Sequence, residues 1–305
     1  MSETPHRGRF APSPTGPLHL GNARSALLGY LWARSEGGEF LLRIEDLDAE
    51  RCKQEHVAEL REDLSYLGLT FDGPPLFQSQ RSARYDEALQ RLKGLGRLYP
   101  CFCSRAEIAR AASAPHGPAE DGPRYPGTCA QIPPEDAEAK AQLRRPAWRF
   151  RSAPGRVQFV DAVAGPFSQD VARDVGDFVV CRADGVASYQ LAVVVDDHES
   201  AITHVLRGGD LLSSTPRQLQ LYAALNWTPP QFAHVGLVLD MQGRRLAKRD
   251  GVASVAELRQ AGVPRGELLS RLCVGFGGAH GQPTDMQTLL ASFSLTHVPR
   301  GPVVV

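Results

Sequence analysis

Arg9-Phe10-Ala11-Pro12-Ser13-Pro14-Thr15-Gly16-Pro17-Leu18-His19-Leu20-Gly21-Asn22 runs from a short apolar strand, through a Pro/Gly turn, into a helix. Leu20, Ala23, Leu27, Leu28 and Leu31 follow at helical spacing and predict one buried face. Strand, turn and helix N-terminus together make an anion site, because unpaired N–H groups and the helix dipole point at the ligand. The stretch is neither a G-x-G-x-x-G dinucleotide turn nor a G-x-x-x-x-G-K-[ST] phosphate loop. A histidine and a glycine, His19 and Gly21, stand at the helix mouth instead.

Outward from this block, Phe40–Ile44 reads as a second buried strand and residues 54–67 as an amphipathic helix with Val57, Leu60, Leu64 and Leu67 inward. Phe71–Pro75 is a turn, and a further helix is predicted over residues 81–95. Strand and helix alternate, which argues a parallel α/β sheet. The composition shifts near residue 98, where cysteines, a Pro/Gly/Ala-rich loop and short strand-like pieces (148–151, 157–160, 177–181) follow. The α/β pattern resumes with Leu191–Val195, Thr203–Arg207 and a helix from Thr215 to Leu225 that Pro216 can open. A last segment holds Val235–Leu239 and two helical stretches, 254–260 and 265–274.

The opening block resembles the HIGH signature of class I aminoacyl-tRNA synthetases. Its flanks, Arg9 to Gly16 and Leu42-Arg43-Ile44-Glu45-Asp46-Leu47-Asp48, are similar to the glutamyl/glutaminyl subfamily. The resemblance runs from Arg9 to about Gly277 and implies an α/β fold: a Rossmann-type parallel sheet split by a zinc-bearing insertion, then a small, mainly helical stem-contact-like segment. On that pattern the chain divides into residues 1–97 and 186–234 for the two halves of the catalytic domain. Residues 98–185 form an acceptor-end-like insertion, and 235–305 a C-terminal segment with a KMSKS-type loop. The anticodon-binding domain of the longer relatives is expected to be absent.

The 305 residues suffice for a sizeable core, and 42% apolar with 22% charged residues excludes a disordered chain. The formal net charge is zero, so any RNA contact must come from a local patch rather than a global field. Met1–Pro5 leads straight into the first strand without resembling a signal peptide. No apolar run approaches the roughly 20 residues that span a bilayer, so a cytoplasmic protein without membrane contact is expected.

Amino-acid activation is phosphoryl chemistry, in which the protein positions reactants and neutralises transition-state charge. It requires ATP, and magnesium follows from that chemistry. By resemblance, His19, Gly21 and Asn22 contact ATP, with Asn22 standing where the family has its second histidine. Arg245-Leu246-Ala247-Lys248-Arg249 resembles the KMSKS block and leaves Lys248 as its catalytic lysine; Ala247 replaces the serine. A buried glutamate must meet charged partners. The resemblance puts Arg9, Ala11 and Ser13 around it, Glu45 on its ammonium, and Tyr189 and Arg207 on the far side. An arginine fork favours a carboxylate over an amide. Asp196, Asp197 and Asp210 are candidates for a ribose contact or for holding a loop.

Of six cysteines, Cys101, Cys103 and Cys129 cluster, which suits a metal site better than a disulfide framework. Generic zinc chemistry suggests His116 as the fourth ligand, whereas the resemblance points to Tyr125, four positions before Cys129. Such a closed site would hold one structural Zn2+. Cys52, Cys181 and Cys273 read as packing residues.

The resemblance is strongest to a truncated branch of the glutamyl enzymes. It implies tRNA-independent formation of glutamyl-adenylate and transfer of glutamate to queuosine at the first anticodon position of tRNA(Asp). The partners are then ATP, L-glutamate and the anticodon stem-loop of that tRNA, with the protein a monomer. Two other readings stand beside it: a minimal synthetase charging a tRNA 3′ end, and an inactive paralogue that only binds amino acid or RNA.

Overall fold

In the computed structural model the described residues are 5–111, 123–239, 254–276 and 282–304. The chain opens with strand β1 (Arg7–Phe10), helix α1 (Leu20–Ser35), strand β2 (Glu39–Ile44), helix α2 (Gln54–Tyr66), strand β3 (Leu76–Phe77) and helix α3 (Ser82–Gly94). β1, β2 and β3 pair in parallel in that order, in register Arg9 to Leu41 and Arg43 to Leu76. Parallel pairing needs a crossover, and α1 supplies the first one. All five apolar positions predicted for its inner face are buried.

A second group of elements follows: β4 (Leu98–Cys101), α4 (Arg105–Ala111), α5 (Pro134–Leu143), β5 (Ala147–Phe150), the hairpin β6 (Val157–Asp161) and β7 (Gly165–Gln169), α6 (Val171–Asp174) and β8 (Phe178–Cys181). β4, β5 and β8 form a small antiparallel sheet. The hairpin is separate from that sheet, and at its turn Ala162 N–H donates to Phe232 O at 2.8 Å.

α7 (Tyr189–Glu199), β9 (His204–Gly208), α8 (Thr215–Leu225) and β10 (Gln231–Val235) complete the α/β part, with β9 and β10 parallel. Thr203 N–H donates to Arg7 O at 2.9 Å, tying the start of β9 to β1 although the intervening residues lie between them in sequence. The apolar run Leu191–Val195, whose three valines suit a strand, lies inside helix α7 and is buried on all sides. A short apolar run carries no period of its own, and a helix enclosed on every face needs none.

The chain ends with β11 (Val238–Leu239), α9 (Val255–Gln260), α10 (Arg265–Leu272), α11 (Met286–Ser292) and β12 (Val303–Val304), the last pairing in parallel with β11. Ser254 caps α9 through a reciprocal capping box with Glu257. At that cap, Ser254 bridges to His19, and Val255 N–H donates to Leu18 O at 2.9 Å. The start of α9 is thereby fixed beside the mouth of α1.

Candidate functional site

His19 is the N-cap of α1, in extended backbone, and Ala23 N–H donates to its carbonyl. A methyl group at Gly21 would stand 3.6 Å from His19 Nδ1, which ordinary packing tolerates. The protein itself therefore does not forbid a side chain there. A narrow cleft joins Ser13, Gly16, His19, Asn22 and Leu60. Lys248, Arg245, Ala247 and His116 lie outside the described residues.

Across the sheet, β1, β2 and α7 bring charges together. Asp197 accepts from Arg9 Nε at 3.1 Å and from Arg43 Nη1. Arg43 Nη2 donates to Glu45 at 3.1 Å. Glu45 N–H in turn donates to Pro12 O at 2.9 Å, so the acid is anchored to the first loop. Asp196 is fully buried and takes Gln78 Nε2 at 2.7 Å, Arg81 Nε at 2.6 Å and Tyr85 Oη at 2.9 Å. Burial alone would raise the Asp197 carboxyl, but the Arg43 and Arg9 guanidiniums outweigh it and hold it below the usual range. Glu45 moves the other way: burial raises it despite Arg43 and Arg9.

Arg207, on β9, is 5% exposed. Its Nε donates to His234 Nε2 at 2.9 Å, and its Nη2 to Thr215 Oγ1 and Gln218 Oε1, both at 2.8 Å. Nη1 makes a longer contact, 3.4 Å, to Tyr189 Oη. These partners are all neutral, and no ion pair of Arg207 occurs among the described residues. Arg9, Glu45 and Asp197 lie near enough to influence its charge. The structure thus gathers Arg9, Glu45, Tyr189 and Arg207 in one electrostatic cluster, with Ala11 and Ser13 on the adjoining loop. His234, Asp161, Thr215 and Gln218 were missed in the sequence; no motif or spacing marks them.

At the end of β4, the sulfurs of Cys101, Cys103 and Cys129 all lie within 4.8 Å of one another, and Cys103 Sγ is 3.6 Å from Cys129 Sγ. Tyr125 Oη sits 3.4 Å from Cys101 Sγ and 3.9 Å from Cys103 Sγ. Zinc–sulfur bonds of about 2.3 Å put tetrahedral ligands about 3.8 Å apart, so these donors fit the edges of such a site. Gly176 (φ +79°) makes room for the tyrosine backbone, because a Cβ there would come within 2.4 Å of Tyr125 O. Arg149 donates to Cys101 Sγ at 3.2 Å and lies 3.6 Å from the centroid of the Tyr125 ring. Burial would raise the Cys101 thiol, but the bonds from Tyr125 and Arg149 bring it below its ordinary value. Cys103 is pushed up to about 11 by burial and by Cys101 and Cys129.

The family model for tRNA synthetases class I (E and Q), catalytic domain, matches residues 6–298. The chain belongs to that family. Among curated E/Q relatives, a protein named Glutamyl-Q tRNA(Asp) synthetase from Symbiobacterium thermophilum is 48% identical, with 97% of this chain and 94% of that one covered. A Glutamate--tRNA ligase from Heliobacterium modesticaldum is 42% identical, covering 98% of this chain and 62% of the ligase. Among solved structures, a glutamate tRNA ligase from Elizabethkingia meningosepticum, determined in complex with its amino acid, superimposes with a TM-score of 0.85 at 29% identity. It covers 99% of this chain and 67% of that one. As an E/Q synthetase domain the chain is an α/β protein of the ligase class. Among its described residues no helix is long and apolar enough to cross a membrane.

Proposed function

We propose that the protein activates L-glutamate with ATP, without needing tRNA, and transfers the glutamyl group to queuosine in the anticodon loop of tRNA(Asp). The observation that carries the amino-acid half is Arg207, a buried cation aligned by neutral partners, with Glu45 nearby as an acid for the ammonium. A carboxylate side chain placed at Nη1 beside Tyr189 supplies the missing counter-charge. The glutamate α-carboxylate then attacks the α-phosphorus of ATP and pyrophosphate leaves. His19, Gly21 and Asn22 at the mouth of α1 and Lys248 in segment 240–253 steady the phosphates, with magnesium bound to them. A hydroxyl on the cyclopentene ring of the modified base next takes the glutamyl group and AMP departs. Support for this acceptor is the likeness to the Symbiobacterium relative, 48% identical over 94% of its length.

Cys101, Cys103, Cys129 and Tyr125 would hold one structural zinc, which pins the insertion and takes no part in the chemistry. The enzyme works as a cytoplasmic monomer on the anticodon stem-loop. The test is glutamate-dependent ATP–pyrophosphate exchange by purified protein with no RNA, followed by transfer of labelled glutamate to queuosine-bearing tRNA(Asp). Exchange that requires tRNA would favour a minimal synthetase charging a 3′ end. No exchange under either condition would leave a binding protein.

A further inference from the structure

The hairpin of the insertion delivers Asp161 into the catalytic half, where it is wholly buried against His234. Every strong bond of that carboxylate is accounted for on one side. Oδ1 accepts from the backbone N–H groups of His234 (2.9 Å), Val163 (3.0 Å) and Ala164 (2.8 Å), while Oδ2 lies 2.6 Å from His234 Nδ1. A carboxylate accepts and does not donate, so Nδ1 must carry the proton. Nε2 is then a lone-pair acceptor, and it receives Arg207 Nε at 2.9 Å. The opposite tautomer would set N–H against N–H.

We propose that Asp161 and His234 are positioning residues for amino-acid specificity: they fix the Arg207 guanidinium by a neutral acceptor, so that its Nη1 end faces the substrate carboxylate with its charge unspent. This rests on the glutamate reading above and deepens it. A carboxylate placed directly on Nε would align the arginine equally well but neutralise it, weakening its preference for glutamate over glutamine. Setting the acid one imidazole away separates the two tasks. The acid comes from residue 161 and the imidazole from residue 234, so folding of the insertion hairpin onto β10 completes the pocket. The charged groups facing the imidazole are Asp161, Arg207 and, farther off, Arg9.

The experiment compares the unaltered protein with His234→Leu, His234→Gln and Asp161→Asn. ATP–pyrophosphate exchange gives KM for glutamate and ATP, thermal melting confirms folding, and nitrogen NMR of the imidazoles reads the tautomer. His234→Leu should raise the glutamate KM about tenfold or more with little change for ATP. His234→Gln, whose amide oxygen can stand near the place of Nε2, should recover most of the affinity. Asp161→Asn should shift the imidazole towards the Nε2–H form and raise the glutamate KM likewise. Equal glutamate KM values for the folded Leu variant and the unaltered protein would overturn the proposal, as would equal losses in Leu and Gln. An unaltered His234 in the Nε2–H form would overturn it without any substrate. Absence of exchange in the unaltered protein would instead overturn the glutamate reading, and the tautomer would still decide how Arg207 is held.

Discussion

Arg43 and Asp197, 154 positions apart in the chain, form a buried ion pair between β2 and α7. It ties α7 to the first parallel sheet, and Arg9 shares the same carboxylate. Removing Asp197 would take from Arg9 its one ion-pair partner among the described residues and leave Arg43 with Glu45 and, at 3.9 Å, Asp196.

Asp197→Ala should therefore destabilise the fold by about 3–5 kcal/mol, the usual cost of breaking a buried pair from one side. Denaturant unfolding measures it. The pH dependence follows from the sign of the shift. The folded carboxyl lies below its unfolded value near 3.8, so its contribution is complete above about pH 4 and vanishes as pH falls through the depressed folded value. Asp197→Asn should flatten that acid limb. An unchanged limb would show that other acids dominate it.

Arg207→Ala should lower kcat/KM for glutamate by about a hundredfold, roughly 3 kcal/mol, because a charge-assisted contact is lost and its neutral partners are left unpaired. Arg207→Lys keeps the charge without the fork and should recover little of it. Steady-state exchange with glutamate and glutamine is the assay. Undiminished glutamate use by a folded alanine variant removes Arg207 from the side-chain pocket.

Cys101→Ser should reduce bound zinc from one per chain towards zero and lower the melting temperature. The exchange rate of the protein that stays folded should change less. Elemental analysis and thermal melting test both parts, and chelation of the unaltered protein should reproduce the effect. Unchanged zinc content in the variant would remove the cysteine cluster from metal binding.

His204, at the start of β9, offers a second pH effect. Its ring stacks on His6 with centroids 3.9 Å apart, and burial, reinforced by His6, brings it down to about 4. Stability should be full above about pH 6.5 and decline as pH falls towards 4, because the unfolded ring binds its proton first. Partial solvent contact limits the effect to about 1–2 kcal/mol. His204→Phe should remove this slope between pH 6.5 and 4; a slope that persists would assign it elsewhere.

Much of the fold was legible because its signals are local. The strand–turn–helix of residues 9–22 carries its turn residues, its helix spacing and its anion-binding mouth in one continuous stretch. The α8 boundaries, Thr215 to Leu225, followed from a proline at the helix start and the apolar spacing after it. Leu191–Val195 was harder, since an apolar run buried on every side has no polar face to set its period.

By itself the sequence determined the α/β class, the strand–helix alternation of residues 7–94, the spacing of the cysteine cluster and the motif residues shared with the E/Q synthetases. Those depend on periodicity, turn chemistry and short spacings, which neighbouring residues carry together. Only the tertiary structure decided that Asp197 belongs to Arg43 and Arg9, and that Asp161, at the end of β6, meets His234 on β10. A buried charge is stabilised by whichever partner the fold brings within hydrogen-bond distance, and that distance is independent of separation along the chain.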